Sequence, residues 1–210
     1  IVARCGCPGV FLISMDGRDD ELDQAIIAVK SRFPELKVGG NFLSQGPLAA
    51  LQRCLDLGID ATWTDRPGVS SFGPNEEALQ IAALLAKHPE HMFFGSVAFK
   101  YQAPEKFPAQ AGVAAANLGM IATTSGPATG EAVDVTKLAV MKEALGAQPL
   151  GLASGVAPDN AHLFTPYVDY FLVSTHVSMS PTSPMLSEDK LRALLAVTRG
   201  AAAVGAGAPA

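Results

Sequence analysis

Apolar residues along this chain fall into short unbroken runs, separated by longer stretches in which they recur at helical spacing. The runs are VFLISM (10–15), LKVGGNFL (36–43), ATWT (61–64), MFFGSVAF (92–99), MIAT (120–123), LGLA (150–153) and YFLV (170–173). Continuous runs of this length suit strands covered on both faces, as in a parallel sheet under helices. The first intervening stretch puts Asp19, Asp20 and Glu21 at the positive end of a helix, with Leu22, Ile26, Val29 and Phe33 on one stripe and Pro34 as the stop. Pro47 opens the next, with Leu48, Leu51 and Leu55 inward and Gly58 at its end. Helices are further predicted over 75–87, in the small-residue segment closed by Gly119, and from Asp134 to Gly146 with Leu138, Met141 and Leu145 inward. Pro158, Asp159 and Asn160 open a short helix-like segment between the last two strands, and Ser187 caps a terminal helix reaching about Thr198.

Seven strands, each followed by a helix, with starts spaced by roughly 20 to 32 residues, give the repeat of a β/α barrel. Such a barrel has about 250 residues over eight units. The expectation is therefore a TIM-type (β/α)8 barrel with seven strands visible, ending near Met15, Leu43, Thr64, Phe99, Thr123, Ala153 and Val173. Residues 1–8 read as the end of a helix and a turn, which places the first strand upstream of Ile1. The alternative is a doubly wound open sheet, but no GxGxxG turn follows any strand. A single barrel domain over 1–200 and a low-complexity, disordered tail over 201–210 complete the expected organisation.

Composition narrows the partners. Hydrophobic residues make up 49% of the 210, enough for one sizeable core. The net charge is −5, with Lys and Arg scattered singly, so no basic patch offers itself to nucleic acid or an anionic membrane. No apolar run has the length of a membrane span. Three cysteines, two of them (Cys5 and Cys7) one residue apart, make no disulfide framework and a weak metal signal. The chain reads as a cytoplasmic protein with reduced thiols. No motif specifies a cofactor or a metal, and homo-oligomerisation is left open.

In a β/α barrel, function gathers at the carboxyl ends of the strands. Read there, the chain offers Asp16, Asn41, Asp65, Lys100, Thr124, Ser125, Ser154, Gly155, Ser174, Thr175 and His176. Lys100 follows a mostly apolar run and should emerge at the rim. It could be a surface lysine snorkelling out of the strand, a cation for a phosphate or carboxylate, or an amine forming a Schiff base. Asp65 could be a general base or hold a metal, against turn-capping or pairing with Arg66 as the plainer role, and Asp16, the second candidate, has the standard composition of a turn. Asn41, inside an apolar pattern, needs a partner if buried. Glycine and hydroxyl turns at 154–155 and 174–175 follow the last two strands, where such barrels most often hold phosphate. His88 and His91 fall at the opposite end, in a loop expected to be solvated. No G-x-S-x-G, Walker A or HExxH motif is present.

At SVAFKYQ (96–102), SGPATG (125–130), SGVAPDN (154–160) and VDYFLVSTHVS (168–178) the chain resembles the BtpA family, barrel proteins of the ribulose-phosphate-binding type. The resemblance spans about 10–178 and is looser before Met92. This family often has a glycine and a lysine near the end of the last strand; here the segment reads Val173-Ser174-Thr175-His176, without lysine. The resemblance implies the barrel and its phosphate-type site more firmly than a reaction. Two functions follow as expectations. One is a protein binding a small phosphorylated, sugar-phosphate-like ligand, an aldolase, lyase or isomerase using Lys100. The other is a non-catalytic scaffold or assembly factor on the same fold.

Overall fold

The computed structural model describes residues 1–180 and 182–205. Residues 1–5 make one helical turn, Cys5 donating to the Ile1 carbonyl at 2.9 Å. A left-handed Gly6 (φ +73°) ends it in a Schellman motif, with Cys7 donating to Val2 and Gly6 to Ala3.

Seven parallel strands follow: β1 (Gly9–Ser14), β2 (Lys37–Phe42), β3 (Ala61–Thr64), β6 (Met92–Ser96), β7 (Ile121–Ser125), β8 (Leu150–Ala153) and β9 (Tyr170–Leu172). They lie in sequence order in one sheet, and β1 and β9 are its two edges. A two-residue hairpin, β4 (Val69–Ser70) with β5 (Gly73–Pro74), is inserted after β3. The helices are α1 (Asp19–Arg32), α2 (Pro47–Asp56), α3 (Glu76–Leu85), α4 (Pro108–Ala116), α5 (Val135–Leu145) and α6 (Glu188–Gly205).

Alternation along the strands explains the layers. In β6, Phe93 packs outward among the helices, with Ile81, Ala111 and Leu138 in its cluster, while Phe94 packs inward. The inward set couples distant strands. Phe11 of β1 meets Trp63 of β3 at 5.7 Å and Phe94 of β6 at 5.2 Å, and Phe94 meets Tyr170 of β9 at 5.2 Å, all edge-to-face. Residues from both edge strands can share one ring only if the sheet curls round that face. Each such pair contributes about 0.5–1.5 kcal/mol beyond its buried area. Glycine makes room for this interior. A Cβ on Gly39 of β2 would lie 2.2 Å from the Phe11 ring, so the missing side chain is what lets Phe11 lie across the strand.

The architecture is thus a curled parallel half-barrel of seven strands, with a seam between β1 and β9. The doubly wound alternative is excluded by the strand order, which never reverses. Strands end where expected within one or two residues, except β6. It stops at Ser96 rather than near Phe99, because Ala98 turns left-handed (φ +49°) and takes the chain off the ladder. The segment after β8 is a three-residue 3-10 turn, Ala161–Leu163, instead of the short helix expected there. The final helix runs to Gly205, past the expected end near Thr198, and 206–210 lie outside the described residues.

Candidate functional site

The turn after β6 is built around Lys100. Ala98 and Tyr101 flank it with positive φ (49° and 61°), conformations that cost a non-glycine residue about 1–3 kcal/mol each. Neighbouring strands hold the turn in place. The Ala98 carbonyl accepts from Thr124 Oγ1 at 3.0 Å and Lys137 Nζ at 2.5 Å, and Lys137 also donates to the Ser125 carbonyl at 3.0 Å. The Lys100 amide donates to Ser125 Oγ at 2.8 Å, and that hydroxyl donates on to the Gly126 carbonyl. The Lys100 side chain then crosses to the loop after β8. Its Nζ donates to Ser154 Oγ at 2.6 Å and stands 5.4 Å from the Phe99 ring centre. Ser154 is itself left-handed, with φ +72°. These three are the non-glycine residues with positive φ among the described residues, and all of them surround one amine.

Asp65, at the end of β3, is half-buried, and its Oδ1 is buried with no hydrogen-bond partner among the described residues. Burial pushes its carboxyl above the ordinary aspartate value, against the opposing pull of the Asn41 amide and of the Lys100 and Arg66 charges. Asn41 is 3% exposed on β2, on the inner face of the sheet. Gln102 ties the two sides together. Its amide nitrogen donates to the Asp65 carbonyl at 2.5 Å and the Ser96 carbonyl at 2.9 Å, and its oxygen accepts from the Phe99 amide at 3.0 Å. Lys100, Asp65, Asn41 and Ser154 therefore form one constellation.

The loops after β7, β8 and β9 also converge. The Tyr101 hydroxyl meets Thr129 Oγ1 at 3.4 Å and accepts from the Thr129 amide at 3.3 Å. Gly130 lies beside Thr175 and His176. The amides of Gly155 and Thr175 have no protein acceptor among the described residues. Gly155, however, lies in the interior and not at the surface. It is buried at φ +70°, and a Cβ there would lie 2.1 Å from the Glu131 carbonyl oxygen, so the Cα packs against the backbone of the β7–α5 loop. The 3-10 turn that follows is also too short to supply a helix-end field. Ser174 stands exposed at the end of β9, its carbonyl accepting from Ser178 Oγ at 3.0 Å.

Other expectations need correcting. Asp16 is exposed and held by Arg18 at 2.7 Å, an ion pair that keeps its carboxyl below the usual range; it makes no contact with Lys100. Thr124 and Ser125 are buried, their hydroxyls bonded internally to the Ala98 and Gly126 carbonyls, and they support the Lys100 turn from behind. His91 is only 7% exposed; it bridges Thr62 Oγ1 at 2.8 Å and the Ile59 carbonyl at 3.1 Å, and burial lowers its pKa. Sequence reading missed Gln102 and Lys137. Gln102 acts through backbone carbonyls, which leave no mark in a sequence. Lys137 did carry a signal, because a cation in the first turn of a helix opposes the dipole. Burial brings its pKa down to about 8, with Asp134 opposing.

The fold is a parallel β/α half-barrel, with the candidate constellation around Lys100 at the carboxyl end of its strands. Comparison with solved structures gives the same fold. The chain is similar to phosphoribosyl anthranilate isomerase from Thermus thermophilus (TM-score 0.65, 17% identity, 95% of this chain and 91% of that one). It is also similar to 3-keto-L-gulonate-6-phosphate decarboxylase from Vibrio cholerae (0.61, 13%, 95% and 90%) and to a native KDPGal structure (0.67, 15%, 96% and 86%). At these identities the likeness is one of fold. No family model matches the chain, and no curated protein matches it. Among the described residues, no helix is long and apolar enough to cross a membrane.

Proposed function

We propose that this chain binds a small phosphorylated, sugar-phosphate-like compound and acts on its carbonyl group through Lys100, as an aldolase, lyase or isomerase. The observation that carries the reading is the strained cluster at Ala98, Tyr101 and Ser154, which aims one amine at a serine loop beside an unpartnered buried carboxylate oxygen. Backbone strain of this kind persists where surrounding structure over-determines it, and it concentrates at active and ligand sites. The loops after β8 and β9 would hold the phosphate through the Gly155 and Thr175 amides with the Ser154 and Ser174 hydroxyls. The Lys100 ammonium would give a proton to the Asp65 carboxylate, and the free amine would add to the carbonyl carbon, its N–H proton passing to the carbonyl oxygen to give the hydroxyl. Loss of water, with Asp65 in its acid form protonating the departing hydroxyl, would leave an iminium. The raised Asp65 carboxyl suits that role.

Two of the structurally similar proteins are named for phosphorylated substrates, an isomerase and a decarboxylase, which supports a phosphorylated ligand for this barrel. The BtpA-like segments lie on the same loops. The test is to incubate the chain with dihydroxyacetone phosphate and sodium borohydride, then map any adduct by peptide mass spectrometry. The expected result is a reduced secondary amine on Lys100, absent in Lys100→Met. Phosphate-competable binding without an adduct on Lys100 would reduce the reading to anion binding. Absence of both would remove it.

A further inference from the structure

We propose that the ligand of this site is extended and doubly anionic, with a second anionic group at its far end held by Arg66 in a groove between the β3–α3 and β6–α4 loops. This rests on the phosphate reading above and adds the class of substrate to it. The groove has a volume of about 650 Å³. One wall is the hairpin segment with Arg66, Pro74 and the hairpin-tip Phe72; the other is Tyr101 and Gln102.

Three observations lead there. First, the groove adjoins the turn that carries Lys100, since Tyr101 and Gln102 line it and Gln102 also holds the Asp65 backbone carbonyl. Second, below a ligand with its phosphate near Ser154 and its carbonyl at Lys100 the inner face is apolar. It carries the edge-to-face set Phe11, Trp63, Phe94, Phe99 and Tyr170, poor partners for a polyol chain. The remaining carbons must leave sideways, and a volume of this size far exceeds the needs of a phosphate. Third, the charge at the far wall is free. Arg66 is exposed and has no carboxylate partner among the described residues; Arg32 and Arg199 also lack one, but Arg66 is the arginine that lines the groove. The guanidinium fork matches carboxylate and phosphate alike. Phe72, 91% exposed, and Tyr101 supply apolar walls for the intervening carbons.

The experiment uses one six-carbon skeleton with three far ends: glucitol 6-phosphate, 6-phosphogluconate and glucitol 1,6-bisphosphate. Affinities are measured by calorimetry on the whole chain, on Arg66→Gln and on Arg66→Lys. The expected result is about tenfold tighter binding of one or both compounds with two anionic groups than of glucitol 6-phosphate, the size of gain a charge-assisted contact gives. The two compounds separate a carboxylate from a second phosphate as the preferred end. Arg66→Gln should abolish that preference while leaving glucitol 6-phosphate affinity unchanged, and Arg66→Lys should restore part of it. Equal affinity for all three compounds overturns the inference and leaves the phosphate reading standing. A preference that survives Arg66→Gln also overturns it. Failure of all three to bind removes both.

Discussion

Replacing Gly155 with alanine isolates the packing on which the site depends. The residue sits at φ +70°, and its Cβ would stand 2.1 Å from the Glu131 oxygen, 2.5 Å from the Glu131 carbonyl carbon and 2.7 Å from the Ala132 Cα. All three are backbone atoms and cannot be avoided by a rotamer change. The left-handed conformation alone costs an alanine about 1–2 kcal/mol, offset in part by its stiffer unfolded chain. Moving the Glu131 peptide back by about 1 Å adds an overpacking cost of about 1–3 kcal/mol. Gly119 supplies the control, because it is left-handed (φ +79°) with nothing within 4 Å of its Cβ position. Urea and thermal unfolding should therefore show Gly155→Ala about 2–4 kcal/mol below wild type, and Gly119→Ala about 1 kcal/mol below. For a chain of this length that is a fall in Tm of roughly 5–15 °C against a few degrees. Equal losses in the two variants would refute the steric cradle around Glu131. A harmless Gly155→Ala would refute the backbone geometry as well.

Three more outcomes follow from buried polar groups. Lys137 releases its proton at about 8 in the fold against 10.5 in an exposed chain, so between those values the unfolded state holds the extra proton and stability rises with pH; urea titrations of Lys137→Met should lack that rise. His91 is held neutral by burial, so stability should fall as pH drops below its ordinary value of 6.5, and His91→Gln should flatten this acid limb. Gln102→Ala frees the Asp65, Ser96 and Phe99 backbone groups at once, and borohydride trapping on Lys100 should slow on the order of 10- to 100-fold with little change in the far-ultraviolet spectrum.

The parts of this fold that a sequence can show are those governed by burial on both faces. Runs such as MFFGSVAF announced strands because Phe93 and Phe94 face opposite layers and both need apolar neighbours. The end of β6 was misjudged because Val97 and Phe99 are buried too, 1% and 5% exposed, although they belong to a strained turn. Hydrophobicity reports burial, not ladder geometry. Lys100 and Asp65 were legible as polar residues placed where apolar runs stop. Gly155 was legible as a turn, but whether its missing side chain faces solvent or the Glu131 backbone is decided by a loop more than twenty residues away. Asp16 misled because an acidic turn residue looks the same whether or not Arg18 claims it. Lys137 sits where the helix dipole disfavours it, and a local choice that breaks a rule often marks a strained or functional place.

The position of Lys100 in the strand order explains how its turn can hold so much strain. In the order β1-β2-β3-β6-β7-β8-β9, β6 is the middle strand, with three paired neighbours on either side and the seam as far away as the sheet allows. The Lys100 turn and the loops it bonds belong to β3, β6, β7 and β8, each hydrogen-bonded on both edges, whereas the loop carrying Ser174 and Thr175 follows the edge strand β9. Strands β1 and β9 keep one unpaired edge each, and their inward residues, Ile13 and Tyr170, are 39% and 38% exposed. Opening free energies are lowest where backbone bonds are exposed and packing is thin, and highest in doubly paired core strands. Native-state hydrogen exchange should therefore find the amides of β6 and β7 the slowest in the molecule and those of β1 and β9 faster by several orders of magnitude. The strained turn would then be anchored to the part that opens last. Amides in β1 and β9 as slow as those of β6 would show the seam to be closed in solution and would remove the gradient of rigidity on which this account of the site relies.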